Sequence, residues 1–228
     1  MSPRSAVAVL VIVGAVVFGL FQRAQSAALG GAPPDGARYR LDGGGGTGTL
    51  ELTSELRDGT FTFSPQVVPA DRELILAAVA SSRPQARRLV GLIDGLVDIS
   101  VGAAGAGAAG RTMIGGHRYP MILDLAGTWR RGTQRAVNRL VLHELAHVID
   151  DALLTDAVVR PLVDAVPAGW GCDQGNSGAC APPEERFAES FAKWATGDIG
   201  VAVYLGYAVP PPAPSLESWG RALASWNG

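Results

Sequence analysis

From Thr133 to Leu154 the chain runs without a proline or a glycine, and apolar residues recur along it at helical spacing: Val137, Leu140, Val141, Leu145, Val148 and Ile149. That pattern predicts a helix with a broad apolar surface, which other elements must cover. Inside it stands His143-Glu144-Leu145-Ala146-His147, an HExxH motif. Residues four apart sit one turn above each other, so both imidazoles point to one side and can share one metal ion. The chain has only 3 histidines, and two of them fall at this spacing with a glutamate directly after the first. HExxH by itself also arises by chance, so a third ligand is needed to give it meaning.

A second stretch supplies one. Glu184-Glu185-Arg186-Phe187-Ala188-Glu189-Ser190-Phe191-Ala192 reads as a helix with two carboxylates, Glu185 and Glu189, one turn apart. Catalytic zinc takes three protein ligands and keeps a fourth position open for water. Glu185 is the candidate to complete a triad with His143 and His147. Glu189 is the candidate to hydrogen-bond a liganding histidine and fix its tautomer from behind. The alternative is a solvated helix face, which sits badly with Glu189 lying between Phe187 and Phe191.

HELAHVIDD followed by EERFAESFA resembles the HExxH peptidases that take a glutamate as third ligand, the gluzincins. Among these it is most similar to the catalytic domain of anthrax lethal factor and its relatives. The matching segments, about Asn138 to Asp151 and Pro183 to Ala192, are a minority of the chain. The resemblance implies a zincin-like domain holding one zinc ion on His143, His147 and Glu185. It also implies Glu144 as general base and Glu189 as the carboxylate behind a ligand. It further implies an edge strand before the active-site helix on which substrate pairs, for which Tyr119 to Leu125 is the candidate. Asp150 is read as a buttress of the site or of the neighbouring helix, and Asp151 as an ordinary solvent-facing acid. Lethal-factor-like peptidases carry a tyrosine shortly before the ligand glutamate, and Gly175 to Pro183 has none. Tyr119, His117, Tyr204 and Tyr207 are therefore the candidates for substrate or oxyanion contacts, with zinc acting alone as the alternative.

The N-terminus reads as an export signal. Arg4 precedes an uninterrupted apolar run from Ala6 to Phe21, and small residues follow in Ala24-Gln25-Ser26-Ala27-Ala28. A run of that length falls short of the roughly 20 residues that span a bilayer. Residues 1–28 are read as a signal peptide, or alternatively as an N-terminal anchor, which places the body outside the cytoplasm. Residues 29–38 are rich in Gly, Ala and Pro and read as a linker, which leaves 39–228 as one domain. Cys172 and Cys180 are the only cysteines, and in an oxidising compartment they are expected to close a small disulfide loop. Net charge is -2 with no basic run longer than a pair, which argues against nucleic acid as a partner. Lys193 is the one lysine among 19 basic residues, a bias read as genome composition rather than chemistry.

The coarse pattern is α+β, with a small sheet early and a mostly helical C-terminal half. Strands are expected at Tyr39 to Leu41, Thr47 to Leu52, Thr60 to Phe63, Val97 to Val101, Arg111 to Ile114 and Tyr119 to Leu125. Helices are expected at Pro69 to Ser81, Pro84 to Leu96, Thr133 to Leu154, Asp156 to Val166, Pro183 to Thr196 and Leu216 to Trp226. Gly102 to Gly110 contains only glycine and alanine and reads as a mobile loop. The function expected is an exported, monomeric zinc endopeptidase acting on a peptide or protein. The alternatives are an inactive zinc-binding pseudo-peptidase acting as a binding module, a hydrolase of cell-wall peptide cross-links, and an exported structural protein.

Overall fold

A computed structural model describes residues 61–105, 108–167, 181–199 and 209–226. The expected strands before Thr60, the export segment, the linker, Cys172, Cys180, Tyr204 and Tyr207 lie outside the described residues. Among the described residues no helix is long and apolar enough to cross a membrane.

The fold is α+β. Strand β1 (Thr62–Phe63) leads to helices α1 (Pro69–Ala80) and α2 (Pro84–Ile93), and a 3-10 turn over Asp94–Leu96 feeds β2 (Val97–Val101). Each helix opens on a proline in its first turn, where the missing N–H has no intrahelical partner to lose. Strands β3 (Gly110–Thr112) and β4 (Tyr119–Leu123) complete a four-stranded sheet in the order β1-β2-β4-β3. β1, β2 and β4 run parallel, whereas β3 runs antiparallel to β4 with Gly110 opposite Leu123 and Thr112 opposite Met121. Period-two alternation buries Val97, Ile99, Tyr119, Met121 and Leu123 on one face. Leu74, Ile75, Ala78 and Val79 of α1 and Ala86, Leu89, Val90 and Ile93 of α2 are buried with them in the core.

Helix α3 (Leu125–Leu153) is the central element, and all six of its apolar positions named above are at most 1% exposed. It starts earlier than its pattern suggests. The strand stops at Leu123 because Asp124 caps a helix there, its side chain accepting from the Gly127 N–H at 2.8 Å. The expected start survives as a kink: just after Gly132, Thr133 adopts φ 59, a left-handed value unusual for a β-branched residue. The arm beyond it carries HExxH.

Helices α4 (Asp156–Asp164) and α5 (Pro183–Thr196) follow, and Gly197 ends α5 in the left-handed conformation. The last expected helix is two short ones, α6 (Leu216–Trp219) and α7 (Arg221–Ser225). They meet at Gly220, where a Cβ would overlap the Trp194 indole. Trp194 and Trp219 pack edge-on at 6.4 Å, with Phe191 5.7 Å from Trp194 and Phe187 6.0 Å from Trp219. This aromatic cluster fixes how α5 sits against the C-terminal segment.

Candidate metal centre

Two helices bring the ligand candidates together. His143 and His147, one turn apart on α3, have ring centroids 5.0 Å apart at 80°. From α5, Glu185 places Oε2 3.1 Å from His143 Nε2 and Oε1 3.6 Å from His147 Nε2. One ligand atom from each of the three residues lies within 4.8 Å of the other two. Donors at 2.0–2.2 Å around a tetrahedral ion stand about 3.4 Å apart, so both nitrogen–oxygen spacings suit a cation of that size. The chemistry of the set agrees. Burial, followed by the charge of His143, pulls His147 down to about 4, so it is a neutral imidazole with a lone pair to give at ordinary pH. Burial pushes Glu185 upward, but the contact with His143 and the charge that either histidine carries when protonated outweigh it, and the carboxyl sits below its usual range.

Glu144 points elsewhere. It is 5% exposed and reaches β3, where Thr112 Oγ1 donates to its Oε2 at 2.7 Å. Gly110 faces the same carboxylate so closely that a Cβ there would overlap it. The last residue of the expected mobile loop is thus strand, and Ala104 and Ala109 within that stretch are buried. Burial raises the Glu144 carboxyl above its ordinary value, against the opposing pull of His143 and Thr112. A raised carboxylate beside a metal triad is suited to exchange protons rather than to ligate.

Behind His143 lies a buried ionic cluster. Glu189, 3% exposed, holds Oε2 3.3 Å from His143 Nδ1. Its Oε1 accepts from Arg139 and, at 2.7 Å, from Lys193. Lys193 also donates to the Val209 carbonyl at 2.8 Å, and Arg139 reaches the Asp198 carbonyl at 3.4 Å. Burial pulls Arg139 down to about 10, with Arg135 adding to the fall. Burial, and then the charge of Arg139, pull Lys193 down to about 7.

In front of His147 the surface opens into a cleft of about 460 Å³ lined by Ile114, His147, Asp150, Asp151, Leu154, Asp156 and Glu184. Asp150 lies here, and among the described residues no hydrogen bond joins it to the triad. Burial first, then Asp151, Glu184 and Asp156, push its carboxyl up to about 6. Asp151 is exposed yet not idle: it accepts the Tyr119 hydroxyl at 2.7 Å. Tyr119 itself is 5% exposed, and burial and that bond raise it to about 12. Its hydroxyl is therefore committed to Asp151. His117 is exposed in the turn between β3 and β4, outside the triad.

The expected substrate strand also changes place. β4 is interior, paired to β2 on one side and β3 on the other, so Tyr119 to Leu123 has no free edge. Among the described residues the outer strand at this side is β3, next to Glu144. Arg139, Lys193 and Thr112 are site residues that sequence reasoning passed over. The scarcity of lysine was a usable signal for one of them. Comparison with family models, curated proteins and solved structures finds no match for this chain.

Proposed function

We propose that the chain is a zinc-dependent endopeptidase of gluzincin type with a zincin-like domain. The observation that carries this reading is the convergence of His143, His147 and Glu185 from two helices, with a separate buried carboxylate, Glu144, held beside them. Zinc bound to such a set lowers the pKa of a coordinated water to about 7 and polarises a carbonyl. Glu144 accepts the attacking water's proton and passes it to the leaving amine. Thr112 fixes one of its oxygens, and burial raises its affinity for a proton. β3, the outermost strand of the sheet among the described residues and next to Glu144, is the strand on which an extended peptide pairs. The export reading of residues 1–28 puts this activity outside the cytoplasm.

The decisive experiment replaces Glu144 with Gln in the zinc-loaded protein and measures peptide-library cleavage. We expect zinc content to stay at one ion per chain and turnover to fall about 100-fold to 10,000-fold. Cleavage by E144Q at the wild-type rate sinks the mechanism. One observation favours the pseudo-peptidase reading: the Tyr119 hydroxyl is taken by Asp151, so among the described residues no tyrosine is free for an oxyanion. One bound zinc with no turnover in the wild type would decide for that reading.

A further inference from the structure

The chain's only lysine is almost wholly buried, 1% exposed, in a protein whose other basic residues are all arginine. It lies on α5 one turn beyond Glu189, and on α3 Arg139 lies one turn before His143. Both basic side chains converge on a single atom, Glu189 Oε1. The other oxygen, Oε2, is the one that faces His143 Nδ1 at 3.3 Å.

We propose that Lys193 and Arg139 are positioning residues for the metal site: by occupying Glu189 Oε1 from two helices, they lock the carboxylate so that Oε2 holds the His143 ring with Nε2 toward Glu185 and His147. The inference rests on the metal-holding part of the preceding reading and not on catalysis. A carboxylate bound at one oxygen only can swing about its terminal torsion, which is broad and poorly restrained. Two donors on Oε1 remove that freedom. An Nδ1–H given to Oε2 leaves the lone pair on Nε2, where His143 lies 3.1 Å from Glu185. The shape of lysine explains why an arginine-using chain keeps one here. A single nitrogen on a slender stem reaches both Glu189 Oε1 and the Val209 carbonyl, at 2.7 and 2.8 Å, where a planar guanidinium beside Arg139 would need more room. Through Val209 the backbone beyond α5 is tied to the same carboxylate that aims the ligand.

The alternative is a salt bridge that stabilises the fold and leaves the metal indifferent. Zinc affinity, read by competition with a chromophoric chelator on the full chain, separates the two. Outer partners of metal-ligating histidines typically contribute 10-fold to 100-fold in metal affinity. We expect E189Q to weaken zinc by that range and K193M by about 10-fold. In the E189Q background, K193M should weaken zinc no further, because its route to the metal is already cut. If K193M does not fold, Arg139→Lys tests the same coupling from α3, with a loss in the wild-type background and none in E189Q. Unchanged zinc affinity in K193M, or full multiplication of its effect with that of E189Q, overturns this inference alone. A wild-type chain that takes up no zinc overturns the metal centre and this inference together.

Discussion

The HExxH helix treats charge in opposite ways on the two sides of its histidine pair. One turn before His143, Arg139 is wholly buried and meets Glu189, Lys193 and Asp198, so acids and bases are interleaved out of water. Past His147, four acids, Asp150, Asp151, Asp156 and Glu184, line an open cleft with neither arginine nor lysine in its described lining. One side is closed and neutralised; the other is open and carries negative charge that no arginine or lysine of its described lining offsets. The difference teaches how one helix divides its labour. A ligand must be held rigidly from behind, where burial makes each missing partner costly, whereas the approach to the metal has to stay wet and loosely satisfied.

The sharpest way to break this contrast is Arg139→Met. Removing one partner from a buried ionic cluster typically costs about 3–5 kcal/mol, and denaturant unfolding of the zinc-free protein should show a loss of that size. A loss within the range of an exposed ion pair, under about 1 kcal/mol, would mean the closed end is no different from the surface.

Tyr119→Phe probes the open end, where the hydroxyl is a neutral donor serving an acid. Since Asp151 is exposed and can rehydrate, the expected cost is about 1–2 kcal/mol. A fall in turnover with no fall in stability would instead return Tyr119 to the reacting carbonyl.

The smallest effect, and the one of opposite sign, belongs to Asp150→Asn. Asp150 titrates near 6 in the folded chain against an ordinary 3.8, so its ionised form is disfavoured by folding. Below the ordinary value both states hold the proton and nothing is lost; stability then declines as pH climbs from about 4 through 6. D150N should therefore stabilise the zinc-free chain at pH 7.5, by on the order of 1 kcal/mol after solvent screening. The gain should vanish in unfolding measured near pH 4. A gain that persists there would trace the effect to shape rather than charge.

What could be read in advance follows the same division. Local periodicity foretold α1, α2, β2 and α5 to within a few residues, because each buries one regular stripe. The HExxH pair and Glu185 were legible for the same reason, since helical spacing alone sets which side chains share a face. The Asp124 cap and the Gly220 break were not. One depends on a side chain folding back onto Gly127, the other on an indole packed from a different helix. The Thr112 bond to Glu144 spans 32 residues and exists only through the register of β3 on β4. Arg139 and Lys193 look like surface residues by type, and only tertiary contacts turn them inward. Reading the lone lysine as compositional bias missed that rarity can also mark a position where one geometry is required.

That lone lysine leaves a protease specific for lysyl bonds with a single place to cut, the Lys193–Trp194 bond in the middle of α5. The bond is shielded on both sides, Lys193 being 1% exposed and Trp194 1%. Scission thus requires the helix that carries Glu185 to unravel, and the rate of cutting becomes a clock for how often that helix lets go of the rest of the molecule.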